Sequence, residues 1–218
     1  MSGALRAVVL DFDLTIADSS VAATECANHA LGKLGFPLTD HGRVRRTIGL
    51  PLTESFRLLS GVDDPDRALA FTQLWIQRAD EVMVDLVRLY PGAPAAITEL
   101  RRRGLRTAIV STKFRYRIEA ILTRVGLRSE MDVIVGGEDV ANFKPHPEGI
   151  HYALRALDVD AEHAIYVGDH PVDARAAAAA EVPFVAVLTG VTTAEAWAPF
   201  APRHIIESVA ELPTILGG

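Results

Sequence analysis

The chain has 218 residues, 49% of them hydrophobic, and a formal net charge of −6. This length suits one large domain, or a core domain that carries a smaller insertion. An acidic chain has no general attraction for nucleic acids or anionic membranes, so we expect neither as a partner. No segment approaches the roughly 20 consecutive apolar residues that span a bilayer.

The cysteine content and the amino terminus bear on the cellular compartment. Cys26 is the only cysteine in the sequence, so the chain cannot form an internal disulfide, which is typical of a reducing compartment. Only the four apolar residues 7–10 separate Arg6 from Asp11, too few for the hydrophobic region of a signal peptide. We therefore expect a cytoplasmic protein, and the sequence does not indicate its oligomeric state.

The first part of the chain combines one strand with a long helical segment. Residues 5–10 are rich in apolar and β-branched side chains, which predicts a buried strand. Helical spacing of apolar residues and helix start and stop signals then predict four helices. They lie around 27–34, from the N-cap Thr39 to about 46, over 52–59 and over about 66–87. No convincing strand occurs between residues 15 and 86. We interpret residues 17–87 as an all-helical cap inserted after the first strand.

From residue 88 onward the pattern changes to an alternation of strands and helices. Strands are predicted over 105–110, 131–135, 163–167, 183–188 and 203–206, and helices over 94–103, 113–125, 147–157, 171–180 and about 208–216. Such alternation is typical of right-handed β-α-β units that build a parallel sheet. The predicted fold class is therefore α/β, with a Rossmann-like core domain made of residues 1–16 and 88–218.

Polar side chains follow four of the predicted strands. In open parallel sheets, ligands bind beyond the carboxyl ends of the strands, so these side chains are expected at one site. The groups, strand by strand, are Asp11 and Asp13; Ser111, Thr112 and Lys113; Lys144; and Asp169 and Asp173. Each group alone is a weak signal, but together they describe one candidate site.

Asp11 and Asp13 are the first acidic group. They are two residues apart on an extended segment, so their side chains leave the backbone on the same side. Two carboxylates facing one way need a cation, or a proton on one of them. Mg²⁺ prefers such oxygen ligands, and a carboxylate can attack phosphorus as a nucleophile. The alternative is that the pair only ends a strand and begins a turn.

The remaining groups have functional and structural interpretations side by side. Asp169 is expected at the sheet edge and Asp173 one helical turn further on, where it could orient a carboxylate or a metal-bound water; alternatively Asp169 caps the helix over 171–180. Ser111 and Thr112 could hold a phosphoryl oxygen at a helix start, or simply cap that helix.

The basic residues carry the same ambiguity. Lys144, in a stiff loop, could offset the charge of Asp11 and of a bound phosphate. Arg45 and Lys113 could hold a second anionic group of the substrate, although most such residues form a solvated helix face.

Taken in order, these motifs resemble those of haloacid dehalogenase-like (HAD) phosphatases. The sequence DFDLT at 11–15, Ser111 after a strand, Lys144 and the sequence GDHPVD at 168–173 match the family pattern over nearly the whole chain. The segments RTIGLPLTESF (46–56) and YPG (90–92) resemble the phosphoglycolate phosphatase-like branch of that family.

The resemblance implies a Mg²⁺-dependent phosphatase acting on a small phosphorylated metabolite. Asp11 would attack phosphorus and become phosphorylated, and Asp13 would act as general acid and then as general base. Ser111 and Lys144 would steady the transferring phosphoryl group. The metal would be held by the carboxylates of Asp11 and Asp169 and the backbone carbonyl of Asp13, with Asp173 in support, and the cap would close over the site.

Two departures and three alternatives accompany the resemblance. Leu14 and Glu181 stand where the family commonly has glycine, and we expect altered local packing rather than lost activity. Asp13 disfavours the true dehalogenases and the phosphonate-cleaving branch, which lack an acid at that position. A pyrophosphatase, a β-phosphoglucomutase-like phosphomutase and a non-catalytic binding protein on the same scaffold remain open.

Overall fold

The structure is a computed structural model that describes residues 4–217. The chain divides into two compact units: a core unit, comprising residues up to 17 and from 89 onward, and a helical unit, residues 18–88. No helix within the described residues is long and apolar enough to cross a lipid bilayer.

Strands and helices alternate in the core unit as expected, and the bounds of the elements of both units follow. The strands are β1 (Ala7–Leu10), β2 (Ala17–Asp18), β3 (Arg88–Leu89), β4 (Arg106–Val110), β5 (Val133–Val135), β6 (Ala164–Gly168), β7 (Phe184–Val187) and β8 (His204–Ile206). The helices are α1 (Ser20–Lys33), α2 (His41–Arg45), α3 (Leu52–Ser60), α4 (Pro65–Leu86), α5 (Ala93–Arg102), α6 (Arg115–Arg124), α7 (Glu148–Leu157), α8 (Pro171–Ala179) and α9 (Leu212–Ile215).

Six strands form one sheet in the order β5-β4-β1-β6-β7-β8, and each neighbouring pair in it is parallel. Strand β1 lies inside the sheet, with Val9 opposite Ala108 on one side and Tyr166 on the other. Every residue of β1 is buried, so both faces of the sheet are covered there, as is typical of an α/β core. The predicted fold class is confirmed. The parallel arrangement brings the carboxyl ends of β4, β1 and β6 together.

Three local predictions were wrong. The pair β2 and β3 forms a two-stranded sheet, and β2 lies in the segment where no strand was expected. A two-residue strand is too short to show an alternating pattern. Helix α6 begins at Arg115 rather than 113, because Phe114 is extended (φ −61°, ψ 133°). The last predicted helix is a 3₁₀ turn over Val209–Glu211 followed by the single turn of α9.

The helical unit has an apolar core of its own. Helix α1 packs on α4, and α3 packs on α4 as well. Phe56 lies between Phe36 and Phe71, with ring centroids 5.4 and 5.5 Å away. The unit also holds an open cavity of about 600 Å³ between α1 and α4, whose lining includes Glu25 and Arg78.

Candidate active site

A tight turn after β1 presents the first two aspartates. The backbone N–H of Asp11 donates to the carbonyl of Val167 on β6 (2.8 Å), which holds Asp11 against the sheet edge. The carbonyl of Phe12 accepts from the N–H groups of both Ile16 and Ala17 (3.1 Å each), so the chain reverses at once. The Asp11 side chain is buried in consequence.

The two positions at which the chain departs from glycine both have positive φ. Leu14 has φ +57° and Glu181 also has φ +57°, the left-handed region that glycine adopts most easily. Leu14 offsets this strain by burying its side chain completely and by accepting a hydrogen bond at its carbonyl from the Thr189 hydroxyl (2.6 Å). The turn therefore keeps its conformation without glycine. Glu181 ends α8 away from the acidic groups.

Lys144 is buried between two carboxylates. Its Nζ lies 3.0 Å from Asp11 Oδ1 and 2.6 Å from Asp173 Oδ1, and the three side chains are 7%, 8% and 0% exposed. The sequence also allowed Lys144 to be a solvated surface residue. In the structure it is a fixed internal cation. It connects the loop after β5 with the ends of β1 and β6.

Tyr166, on β6, completes this network and was missed by the sequence analysis. Its hydroxyl accepts from Lys144 Nζ (3.2 Å) and donates to the carbonyl of Val110, the last residue of β4 (3.1 Å). The available signal was a phenol in a strand buried on both faces, where the hydroxyl needs a partner. Tyr166 thus ties Lys144 to the strand that precedes Ser111.

Asp169 is held by two further residues that the sequence analysis did not identify. The Thr15 hydroxyl donates to Asp169 Oδ1 (2.9 Å) across the site. Gly190, after β7, passes so close that a Cβ there would lie 2.1 Å from Asp169 Oδ2. Both contacts join parts of the chain that are far apart in sequence, so no local pattern could reveal them.

The helix cap after β6 differs from the expected alternative. His170, not Asp169, is the N-cap of α8, and its ring nitrogen accepts from the N–H of Val172. Asp173 closes this capping box by accepting from the His170 N–H with Oδ2 (3.0 Å) while its Oδ1 faces Lys144. Because His170 performs the capping, the Asp169 carboxylate is available to the site.

The loop after β4 contains the other predicted residues. Ser111 is buried, and its Oγ accepts from the N–H of Lys113 (3.3 Å). Thr112 is partly buried and precedes α6 by several residues, so it does not lie in the first turn of that helix. The Lys113 ammonium lies 3.0 Å from Asp13 Oδ1, with side chains 3% and 13% exposed. Arg45 lies in α2 of the helical unit and is partly buried there.

Burial and mutual repulsion dominate the electrostatics of the carboxylates. Burial, assisted by the charges of Asp173 and Asp13 and opposed by Lys144, raises the pKa of Asp11 to about 7. Burial, then Asp173 and Asp11, holds the pKa of Asp169 well above its usual range. Burial disfavours the charge on Lys144, yet Asp11 and Asp173 keep the pKa of that ammonium well above its usual value.

The donor set fits a divalent cation with a preference for oxygen. Carboxylate oxygens of Asp11, Asp169 and Asp173 lie within 4.8 Å of one another, and all three residues are buried. Lys144 supplies a single positive charge to the three, so it cannot balance them when all three are ionised, in agreement with the raised pKa values of Asp11 and Asp169. Oδ1 of Asp11 is buried, and within the described part of the chain its one polar contact is the ion pair with Lys144. These are ligands that Mg²⁺ accepts.

Comparisons with known proteins agree with these features. A sequence model of the haloacid dehalogenase-like hydrolase family matches residues 8–187. A phosphoglycolate phosphatase from Cupriavidus necator is 33% identical over 217 residues, which cover 96% of this chain and 92% of that protein. A pyrophosphatase from Oceanobacillus iheyensis is 25% identical over 213 residues, covering 98% of this chain and 97% of that protein.

A solved structure shows a similar fold. It comes from Bacteroides fragilis and is described as a haloacid dehalogenase-like hydrolase. It superposes with a TM-score of 0.91 at 37% sequence identity, covering 95% of this chain and 99% of that chain.

Proposed function

Because the chain belongs to the haloacid dehalogenase-like hydrolase family, we propose that it is a Mg²⁺-dependent phosphatase with Asp11 as its nucleophile. Its substrate is a small phosphomonoester of the phosphoglycolate kind. The observation that carries this proposal is the grouping of Asp11, Asp169 and Asp173 around the ammonium of Lys144 at the carboxyl edge of the sheet.

The proposed reaction has two steps that use the same carboxylates. An oxygen of the Asp11 carboxylate attacks phosphorus, the bond from phosphorus to the ester oxygen breaks, and Asp13 gives that oxygen a proton. Water then attacks the aspartyl phosphate while Asp13 takes a proton from it. The bond from phosphorus to Asp11 breaks, inorganic phosphate leaves, and both carboxyl groups return to their starting states.

The surrounding groups support charge transfer at phosphorus. The carboxylates of Asp11 and Asp169 and the Asp13 carbonyl, with Asp173 in support, would hold Mg²⁺, which would supply positive charge to the phosphoryl group. Lys144, whose Nζ lies 3.0 Å from Asp11 Oδ1, supplies a fixed positive charge as well. The Ser111 hydroxyl and the Thr112 backbone are the proposed contacts of a phosphoryl oxygen.

The leaving group is selected by groups outside this cluster. A phosphoglycolate-like substrate carries a carboxylate beyond its ester oxygen, and Arg45 of the helical unit is the proposed partner of that second anion. The name of the Cupriavidus necator relative supports this substrate class, and that of the Oceanobacillus iheyensis relative makes pyrophosphate the first rival.

The test is phosphate release from a panel of small phosphomonoesters, pyrophosphate and sugar phosphates, with Mg²⁺ and with chelator. We expect metal-dependent release that falls by roughly 10³-fold or more in Asp11→Asn, because the nucleophile is lost. The matched control is Asp160→Asn, since Asp160 is an exposed aspartate of the core unit. Release that survives Asp11→Asn overturns the assigned nucleophile.

The panel also separates the rival functions. Preference for pyrophosphate identifies a pyrophosphatase. Isomerisation of a sugar phosphate without net phosphate release identifies a phosphomutase. Ligand binding without turnover of any compound identifies a binding protein on this scaffold.

A further inference from the structure

Lys113 is a buried cation directed at Asp13. Its side chain is 3% exposed, and its Nζ lies 3.0 Å from Asp13 Oδ1 and 5.9 Å from the centroid of the Phe12 ring. The approach to Phe12 adds a cation–π contact to the ion pair. Lys113 therefore contacts the turn after β1 at two successive residues.

The backbone of Lys113 is fixed at both of its polar groups. Its N–H donates to Ser111 Oγ (3.3 Å), and its carbonyl accepts from the N–H of Gly137 (3.1 Å). The chain at Gly137 approaches so closely that a Cβ there would lie 2.6 Å from the Thr112 carbonyl oxygen. The fixed backbone sets the point from which the Lys113 side chain reaches Asp13.

A buried ammonium is costly unless a counter-charge satisfies it, and here the counter-charge is Asp13. Oδ1 of Asp13 is itself buried, so the exposed part of this carboxyl group lies elsewhere, toward Oδ2 and Cβ. The contact thus distinguishes the two oxygens of one carboxyl group. Oδ1 faces Lys113, and Oδ2 is the oxygen left for exchange of a proton with a substrate.

We propose that Lys113 is a positioning residue for the general acid and base Asp13, and not a binding group for the substrate. The ion pair fixes the rotation of the Asp13 carboxyl group so that Oδ2 carries the proton that goes to the leaving oxygen. This inference rests on the proposed function, because it assigns a partner to the acid of that reaction.

The consequence is a dependence on the leaving group. When the bond from phosphorus to the ester oxygen breaks, an alkoxide needs a proton in the same step, whereas a nitrophenolate is stable without one. A misplaced acid therefore slows alkyl phosphates and leaves nitrophenyl phosphates little affected. A lysine that bound the substrate would instead affect a given pair of substrates according to their contacts, with no relation to leaving-group acidity.

The test compares kcat/KM of the wild type and Lys113→Met for several alkyl phosphates and a series of substituted phenyl phosphates, with saturating Mg²⁺. This parameter reports the steps up to release of the leaving group, so hydrolysis of the phosphoenzyme does not affect it. We expect a loss of roughly 30- to 100-fold for alkyl phosphates and of about 3-fold or less for 4-nitrophenyl phosphate. Lys33→Met is the matched control, because Lys33 is exposed on α1.

A double-mutant cycle with Asp13→Asn gives a second readout. If Lys113 acts through Asp13, Lys113→Met changes kcat/KM for an alkyl phosphate by less than about 3-fold in the Asp13→Asn background. Thermal unfolding followed by circular dichroism checks that each variant is folded. Lys113→Gln replaces Lys113→Met if the latter does not fold.

Equal losses for alkyl and nitrophenyl phosphates, or a full loss in the Asp13→Asn background, overturn the inference. Absence of phosphate release by the wild type from every compound overturns the proposed function, and this inference with it. The two failures are therefore distinguishable.

Discussion

The two units each contain a cation between two carboxylates, and the two triads differ in burial. In the helical unit, Arg78 pairs with Glu25 and Glu81 beside the open cavity, and the three side chains are 29%, 43% and 51% exposed. In the core unit, Lys144 pairs with Asp11 and Asp173, and the side chains are 7%, 8% and 0% exposed.

Solvent screens the charges of the triad in the helical unit but not those of the triad in the core unit. Water screens the charges around Arg78, so its ion pairs contribute little to stability and require nothing else. The core triad is buried and lies beside a third carboxylate, Asp169. The single Lys144 ammonium therefore cannot balance the three carboxylates when all of them are ionised. A cation between two carboxylates is therefore a partly solvated ion pair in one unit and part of the proposed metal site in the other.

The largest expected effect is that of removing the internal cation. In the absence of Mg²⁺, Lys144→Met should lower the free energy of unfolding by about 3–5 kcal/mol, because buried carboxylates lose their counter-charge. Phosphatase activity should fall by roughly 10²- to 10³-fold. Urea unfolding with and without Mg²⁺ measures the first effect. A change in the free energy of unfolding below about 1 kcal/mol would contradict the assigned burial of charge.

The next effect is a pH dependence of stability in the metal-free protein. At pH values between the ordinary pKa of the side chain, 3.8, and its pKa of about 7 in the folded protein, Asp11 keeps a proton that the unfolded chain releases. The free energy of unfolding should therefore fall as pH rises through this window, by about 2–4 kcal/mol. Asp11→Asn should remove much of this dependence, and Mg²⁺ should stabilise the wild type more at pH 8 than at pH 5. Urea unfolding across this pH range measures it, and stability that rises with pH would refute the argument.

A smaller effect is expected at the glycine beside Asp169. In Gly190→Ala, the new Cβ would lie 2.1 Å from Asp169 Oδ2, so that carboxylate must move. We expect the Mg²⁺ concentration for half-maximal activity to rise roughly 10- to 100-fold. Gly32→Ala is the control, since its Cβ would make only an ordinary contact, 3.6 Å from Leu38. An unchanged Mg²⁺ requirement would show that Asp169 does not need its present position.

The smallest effect belongs to the exposed triad. Arg78→Met should change the free energy of unfolding by no more than about 1 kcal/mol, because both of its ion pairs are partly solvated. Its pH dependence between pH 5 and 8 should match that of the wild type. A loss as large as that of Lys144→Met would mean that burial does not separate the two triads.

The sequence predicts the sheet edge well because that prediction needs only local patterns. Strand β1 is a continuous apolar run, and the residue that follows each parallel strand must lie at the same edge. Asp11, Lys144, Asp169 and Asp173 could therefore be assigned to one place before any distance was known. Their proposed catalytic roles come from the resemblance and stay predictions.

Pairwise contacts across the site could not be predicted in the same way. Thr15 and Asp169 lie on different strand ends, and nothing in either local pattern indicates their hydrogen bond. The sequence left Lys113 either as a group for a second anion of the substrate or as part of a solvated helix face. In the structure an extended Phe114 delays α6, and the Lys113 ammonium faces Asp13. Such outcomes depend on the three-dimensional packing of segments, which a single sequence does not encode locally.

The internal position of β1 has a consequence for the order of events during synthesis. This strand is synthesised before both of its partners, because it pairs with residues 106–109 and 164–167. The helical unit, residues 18–88, is complete before either partner strand exists, and domains generally fold as units in the order of synthesis. The nucleophile of the proposed reaction is therefore translated before both partner strands, and it reaches its final surroundings only after the second of them, residues 164–167, has been made.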